Sequence, residues 1–287
     1  MATAPLKYVS DREAVDVLSS LCQRIRLADP QRRAWEAADV QWWWRRARPS
    51  DELGQLVMAD AGGESLGAVV LTDFGHHCQL DVFSTPGIAA SDLTALWRLA
   101  AERARRWEGS PIEVVVDDHD RVAAAALTRD GYGPLEHGGV DAWMDASDRP
   151  KPHVLPEGFE LHSRENRPVA PHHLEARNDS TVSERLGECS LYDAALDLFV
   201  TAPTGEVCSY GLFWADPVTM VGLVEPMRTE APYEHQGIAG HVLAVGLGLL
   251  AARGCTRLKV SSDGELYARA GFKAGPSVWL TRRSART

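Results

Sequence analysis

Three prolines fall within the seven residues 150–156 (PKPHVLP), and neither a helix nor a central strand can run through them. This break parts the chain into two stretches that present the same order of elements. Before it, residues 55–60, 66–74 and 77–84 read as strands, 91–107 as a helix opened by Ser91-Asp92, 112–117 as a strand, 121–130 as a helix and 140–144 as a strand. After it, residues 197–202, 207–214 and 220–229 read as strands, 240–253 as a helix closed by Gly254, 256–261 as a strand, 265–270 as a short helix and 278–281 as a final strand. Strand pairs joined by glycine turns, then alternating helices and strands, predict a mixed α/β sheet in each half. Self-similarity over about 140 residues indicates duplication, since solenoid repeats run ~20–50 residues. The 287 residues leave room for two domains, here 1–150 and 151–287.

Composition narrows the function classes. With 45% hydrophobic and 24% charged residues the chain is a folded globular protein. Lys+Arg 30 against Asp+Glu 40 gives a net charge of −10, most of it carried by residues 1–150, which argues against a nucleic-acid partner. The longest apolar run, 242–252, falls short of the ~18 residues of a membrane span, and the start MATAPLKYVSD lacks the apolar core of a secretory signal. Five cysteines, widely spaced and without a CxxC pair, read as reduced thiols in a cytoplasmic protein. No metal is expected: on a strand the adjacent histidines His76-His77 and His172-His173 would face opposite ways, and no carboxylate or cysteine cluster completes a site.

The chemistry concentrates in residues 221–243, VGLVEPMRTEAPYEHQGIAGHVL. An apolar strand enters a polar loop, and the loop enters Gly-Ile-Ala-Gly and a helix. Glycines let backbone N–H groups approach a ligand, and a helix start offers unpaired donors and partial positive charge, so the segment suits an anion. An ordinary connection with glycines for packing fits the same spacing, and on this segment alone both readings stay open. A second motif, Leu266-Tyr-Ala-Arg-Ala-Gly-Phe272, follows after a helix and a strand.

Taken together, EHQGIA (234–239) and LYARAGF (266–272) resemble the GCN5-related N-acetyltransferase (GNAT) superfamily. There a Gln/Arg-x-x-Gly-x-Gly/Ala loop wraps the coenzyme A pyrophosphate and a Leu-Tyr-x-x-x-Gly-Phe segment lies later on the fold. The resemblance covers residues 157–283 directly and reaches the first half through the duplication, in a tandem layout broadly like mycothiol synthase. It implies a tandem duplicated acyl-CoA N-acyltransferase fold, each half a mixed, mostly antiparallel sheet flanked by helices. It also implies transfer of an acetyl group from acetyl-CoA to a primary amine of a small molecule, within a ternary complex. Two positions depart from the pattern: Glu234 stands where Gln or Arg is usual, and Val260 where an Asn often precedes the Leu-Tyr segment.

The resemblance also distributes roles. Tyr267 is the implied general acid and Glu225 the implied base, although a core tyrosine and a structural carboxylate before Pro226 fit the same positions. The backbone of Met227, Arg228 and Thr229 is implied to pair with the pantetheine, with the Met227 N–H polarising the thioester carbonyl. His235, Gln236, Gly237, Ile238, Ala239 and Gly240 form the implied pyrophosphate loop. In the first half, Asp81 aligns with Glu225 and Leu127 with Tyr267, and only Pro86 separates Thr85 from Gly87 where the second half has EAPYEHQ. The first half therefore reads as a degenerate copy and the second as the catalytic one. A non-catalytic acyl-CoA-binding module is the alternative, and a tRNA-dependent aminoacyl-transferase on the same tandem fold a further one that the net charge disfavours. The run Trp42-Trp43-Trp44 would cover most of a helix's circumference, which points to burial or to an aromatic wall facing substrate.

Overall fold

A computed structural model describes residues 4–32, 34–117, 123, 127–129, 131–134 and 136–283. Along the chain run β1 (Leu6–Val9), α1 (Asp11–Ala28), α2 (Ala37–Trp44), β2 (Gln55–Ala59), β3 (Ser65–Asp73), β4 (Cys78–Ser84), α3 (Ala90–Arg106), β5 (Ile112–Asp117) and β6 (Glu136–Asp145). Then follow β7 (Glu160–Ser163), α4 (Val182–Gly187), β8 (Asp197–Thr201), β9 (Val207–Ala215), β10 (Val221–Thr229), α5 (Ile238–Ala252), β11 (Arg257–Val260), α6 (Glu265–Ala270) and β12 (Lys273–Arg283). The helix expected at 121–130 lies mostly outside the described residues. α3 begins before Ser91, with Ala89 rather than a polar side chain at its N-cap.

The chain forms two compact units: residues 1–37, 47–139 and 276–287, and residues 38–46 and 140–275. Their strand orders are β1-β2-β3-β4-β5-β12 in the first and β6-β11-β10-β9-β8-β7 in the second. Each unit is an antiparallel meander followed by a helical crossover to one parallel pair, β4 with β5 and β10 with β11. A parallel partner requires such a crossover, and α3 and α5 supply it. This is the mixed, mostly antiparallel sheet with flanking helices expected for each half.

The units do not part at the proline break. Residues 140–145 of β6 belong to the second unit, where they pair with β11, and β12 from residue 276 belongs to the first, where it pairs with β5. Polar partners explain the exchange. Asp141 on β6 accepts from Ser261 Oγ at 2.9 Å and lies 3.4 Å from Lys259 Nζ, whereas Arg282 on β12 pairs with Glu113 on β5 at 2.8 Å. The larger part of α2, from residue 38, also belongs to the second unit.

Apolar faces meet as the alternation of the strands requires. Leu56, Val69, Leu80, Leu96, Ala100 and Val114 close the first core, and Leu198, Val200, Phe213, Val224, Val242, Leu247, Leu250 and Leu258 the second. α5 lies so close to β9 that a Cβ at Gly246 would come within 2.1 Å of the Phe213 ring. All five cysteines are buried thiols.

Candidate active site

The site is made where β10 leaves its neighbour. β11 pairs with β10 only at Val221, Gly222 and Leu223, and the register of β10 on β9 shifts between Val224 and Met227. Pro226, which has no N–H for a ladder bond, sits at that shift. The buried Trp214 indole N–H donates to the Glu225 carbonyl at 2.7 Å and ties the irregular strand down. Beyond it the chain turns through 230–237 into α5. His235 and Gly237 there hold positive φ of 60 and 82°, and no side chain caps the helix. The first-turn N–H groups of α5 thus keep their capacity for a ligand.

These parts enclose a cavity of about 800 Å³. Met227, Arg228 and Thr229 form one wall, His235, Gly237, Ile238, Ala239 and Gly240 another, and Leu266, Tyr267 and Ala270 of α6 a third. Every sequence-expected loop residue except Gln236 lines it. Gln236 instead turns back onto its own loop, its side-chain amide donating to the Pro232 carbonyl at 3.2 Å. A volume within the usual ~300–1,000 Å³ of ligand sites, an open strand edge and an uncapped helix start suit a long molecule with an amide-bearing arm and a phosphate end.

Tyr267 reaches the cavity from α6, packed edge-on against Phe272 at 6.0 Å. Burial and the Glu225 charge push its phenol up to about 12, so it stays protonated at neutral pH. Glu225 is not on the cavity wall. It lies just upstream of the lining part of β10, and burial, reinforced by Asp39, pushes its carboxyl up to about 7. Arg45, a hydrogen bond from the Trp42 side chain and Lys259 oppose that rise. A pKa near 7 is what a general base at neutral pH needs.

Sequence reasoning missed the surroundings of Glu225. Asp39, Trp42 and Arg45 come from α2, far away along the chain. Trp42 and Trp44 are buried, Trp42 standing edge-on to Trp214 at 6.4 Å with the Arg45 guanidinium 3.9 Å over its ring. The tryptophan run is therefore packed rather than a free wall. α2 holds the 178–191 segment through Arg45 to Asn178 at 2.7 Å, Trp44 to Glu188 at 2.6 Å and Gln41 to Ser190 at 2.9 Å. Lys259, fully buried, lies 3.5 Å from Asp39 and 3.4 Å from Asp141. A lysine inside the apolar strand TRLKVS was the available signal, because a buried charge demands partners.

His172 and His173 do not face opposite ways as expected of a strand. These residues lie in a turn, not a strand, and both rings reach the buried Asp197, with Nε2 at 3.2 and 3.1 Å. The three side chains are close enough to surround an ion. His172 Nδ1, however, accepts the Leu174 N–H, which leaves the proton of the neutral ring on Nε2, facing the carboxylate. Tyr192 donates to the same carboxylate at 2.9 Å. Tyr192 is thus the carboxylate's hydrogen-bond donor, while Asp197 Oδ1 and the Nε2 atoms of both histidines face one another without a well-aligned hydrogen bond.

Solved structures align along almost the whole chain. A tandem GNAT protein from the clavulanic acid biosynthesis pathway matches at TM-score 0.68 and 16% identity, covering 99% of each chain. A GCN5-related N-acetyltransferase from Sphaerobacter thermophilus matches at 0.62 and 16%, over 99% of this chain and 98% of that one. A GNAT-family acetyltransferase from Colwellia psychrerythraea matches at 0.61 and 13%, over 97% and 99%. The fold is a tandem GNAT fold. No family model and no curated protein matches the sequence itself. Within this GNAT fold the cavity lies at the parting of β10 from β11 in the second unit, and among the described residues no helix is long and apolar enough to cross a membrane.

Proposed function

We propose that the chain is an acetyl-CoA-dependent N-acetyltransferase acting on a primary amine of a small molecule, with the chemistry in the second unit. The observation that carries this reading is the cavity itself, bounded at once by the open edge of β10, the uncapped start of α5 and the Tyr267 side chain. The acyl-CoA fold of the aligned structures supports it.

The residues divide the work as follows. Backbone groups of Met227, Arg228 and Thr229 hold the pantetheine amides, and the loop from His235 to Gly240 holds the diphosphate. Glu225 removes a proton from the ammonium form of the acceptor, directly or through water, at a carboxyl poised near neutrality. The Met227 N–H stabilises the developing oxyanion. The amine nitrogen bonds the acetyl carbon, the carbon–sulfur bond breaks, and Tyr267 gives its proton to the departing thiolate. A phenol at about 12 donates less readily than an unperturbed one but is fully protonated when needed.

Calorimetric titration with acetyl-CoA, paired with thiol release over an amine panel, tests this. One site per chain is expected, together with a Tyr267→Phe variant that binds acetyl-CoA normally and turns over about a hundredfold more slowly. Two sites, or no binding, would overturn the assignment to the second unit. A Tyr267→Phe variant with full rate, or a wild type that binds acetyl-CoA but acetylates no amine, would favour a non-catalytic acyl-CoA-binding module.

A further inference from the structure

The proline-rich segment that separates the repeats in sequence is also part of the cavity: Pro150, Lys151 and His153 line it. His153 is fastened to the start of α5 at two points. Its Nε2 lies 2.7 Å from the Gly237 carbonyl oxygen, and its own carbonyl accepts from His241 Nδ1. A Cβ at Gly237 would lie 2.9 Å from His153 Nε2, and one at Gly240 3.1 Å from His153 Cε1. The two glycines of the loop are therefore spaced for this imidazole.

The charges of the lining show why the segment matters. Arg228 is engaged by Glu230 at 3.0 Å and Arg269 by Glu265 at 2.5 Å, while Glu234 adds a negative charge. Lys151 is the lining cation without a carboxylate partner among the described residues. A polyanion entering this cavity meets neutralised arginines, one adverse carboxylate and the helix start, so its compensating cation comes from the 150–153 segment.

We propose that residues 150–153 are part of the donor site: Lys151 binds the phosphates of acyl-CoA, and His153 is the positioning residue that holds the segment on the loop. This rests on the acetyltransferase reading above. It assigns to the connection between the repeats the cationic role that position 234 lacks here.

The test is acetyl-CoA binding by calorimetry at low and high salt, with S-acetylpantetheine, which lacks the diphosphate, the ribose phosphate and the nucleoside, as the second probe. Lys151→Ala should weaken acetyl-CoA about tenfold at low salt, with the gap shrinking at high salt, and Lys151→Arg should restore it. His153→Ala should weaken acetyl-CoA in the same direction by about threefold, as expected of loosening a hydrogen-bonded support. S-acetylpantetheine should bind all variants as it binds the wild type. Unchanged acetyl-CoA affinity in Lys151→Ala, beside a wild type that binds, overturns the inference and leaves the enzyme reading standing. Equal weakening of both probes also overturns it, because the effect would then be on the fold. A wild type that fails to bind acetyl-CoA removes the donor reading and this inference together.

Discussion

The turn from β4 to α3 in the first unit and the turn from β10 to α5 in the second begin and end alike. Each leaves the meander's last strand and enters the crossover helix, and each passes a glycine in the left-handed region, Gly87 at 84° and Gly237 at 82°. Between strand and helix the first has residues 85–89 and the second 230–237. Beside Asp81 the first unit holds a space of about 80 Å³, lined by Trp35, Phe83 and Trp97, against about 800 Å³ in the second. The carboxylates differ in the same sense. Asp81 is buried and fully engaged, by the Trp35 indole at 2.9 Å and the Gln79 amide at 2.8 Å. Glu225 also receives a tryptophan hydrogen bond, but it stays partly accessible and its carboxyl exchanges its proton near neutral pH, at about 7. Sheet, crossover and core are thus shared, and a few loop residues with one polar partner separate a scaffold from a candidate site.

The largest expected effect comes from neutralising the carboxylate of the candidate site in the second unit. Glu225→Gln should lower kcat by roughly 10²–10⁴-fold, the range of general acid–base catalysis, whereas Asp81→Asn should leave kcat unchanged. Steady-state rates on any accepted amine decide this; equal losses would mean that the first unit also works. Next in size, Lys259→Met leaves Asp39 and Asp141 buried without their shared cation and should cost about 3–5 kcal/mol in denaturant unfolding. The same change removes a charge that holds Glu225 down, so the acidic limb of kcat/KM should move above about 7.

Smaller effects sharpen the contrast. Asp81→Asn should cost about 1–3 kcal/mol of stability by mismatching the Trp35 and Gln79 donors, read from the shift in urea midpoint. For Glu225 the folded carboxyl titrates near 7 against an ordinary 4.5, so the folded state holds the proton more tightly. Its contribution to stability is therefore full below about 4.5 and is lost as pH rises to about 7, and Glu225→Gln should flatten the pH dependence of unfolding across that window.

Much of this organisation was legible in the sequence because it is local. The runs that became β2 to β5 and β8 to β11 carry their alternation and turn glycines within a few residues, and Gly254 does stand in the left-handed region just past α5. The loop residues His235 to Gly240 and Tyr267 stand out through the family resemblance of two short motifs, and all but Gln236 line one cavity. What escaped was non-local. Nothing near Trp42 says that its indole will reach a carboxylate at position 225, and nothing in the VDAWM segment says that Asp141 will seek Lys259. The positions of β6 and β12 could not be read for the same reason: two similar repeats offer similar edges, and only distant side chains distinguish them. His172-His173 escape the period-two expectation because they lie in a turn, where adjacent side chains can reach the same carboxylate.

The exchanged strands have a consequence for synthesis. As the chain leaves the ribosome, the first unit emerges early but lacks β12, which is made only after the whole of the second unit. The unit encoded first therefore cannot finish folding first, and a cut in the proline segment would yield two fragments that each carry a strand the other needs.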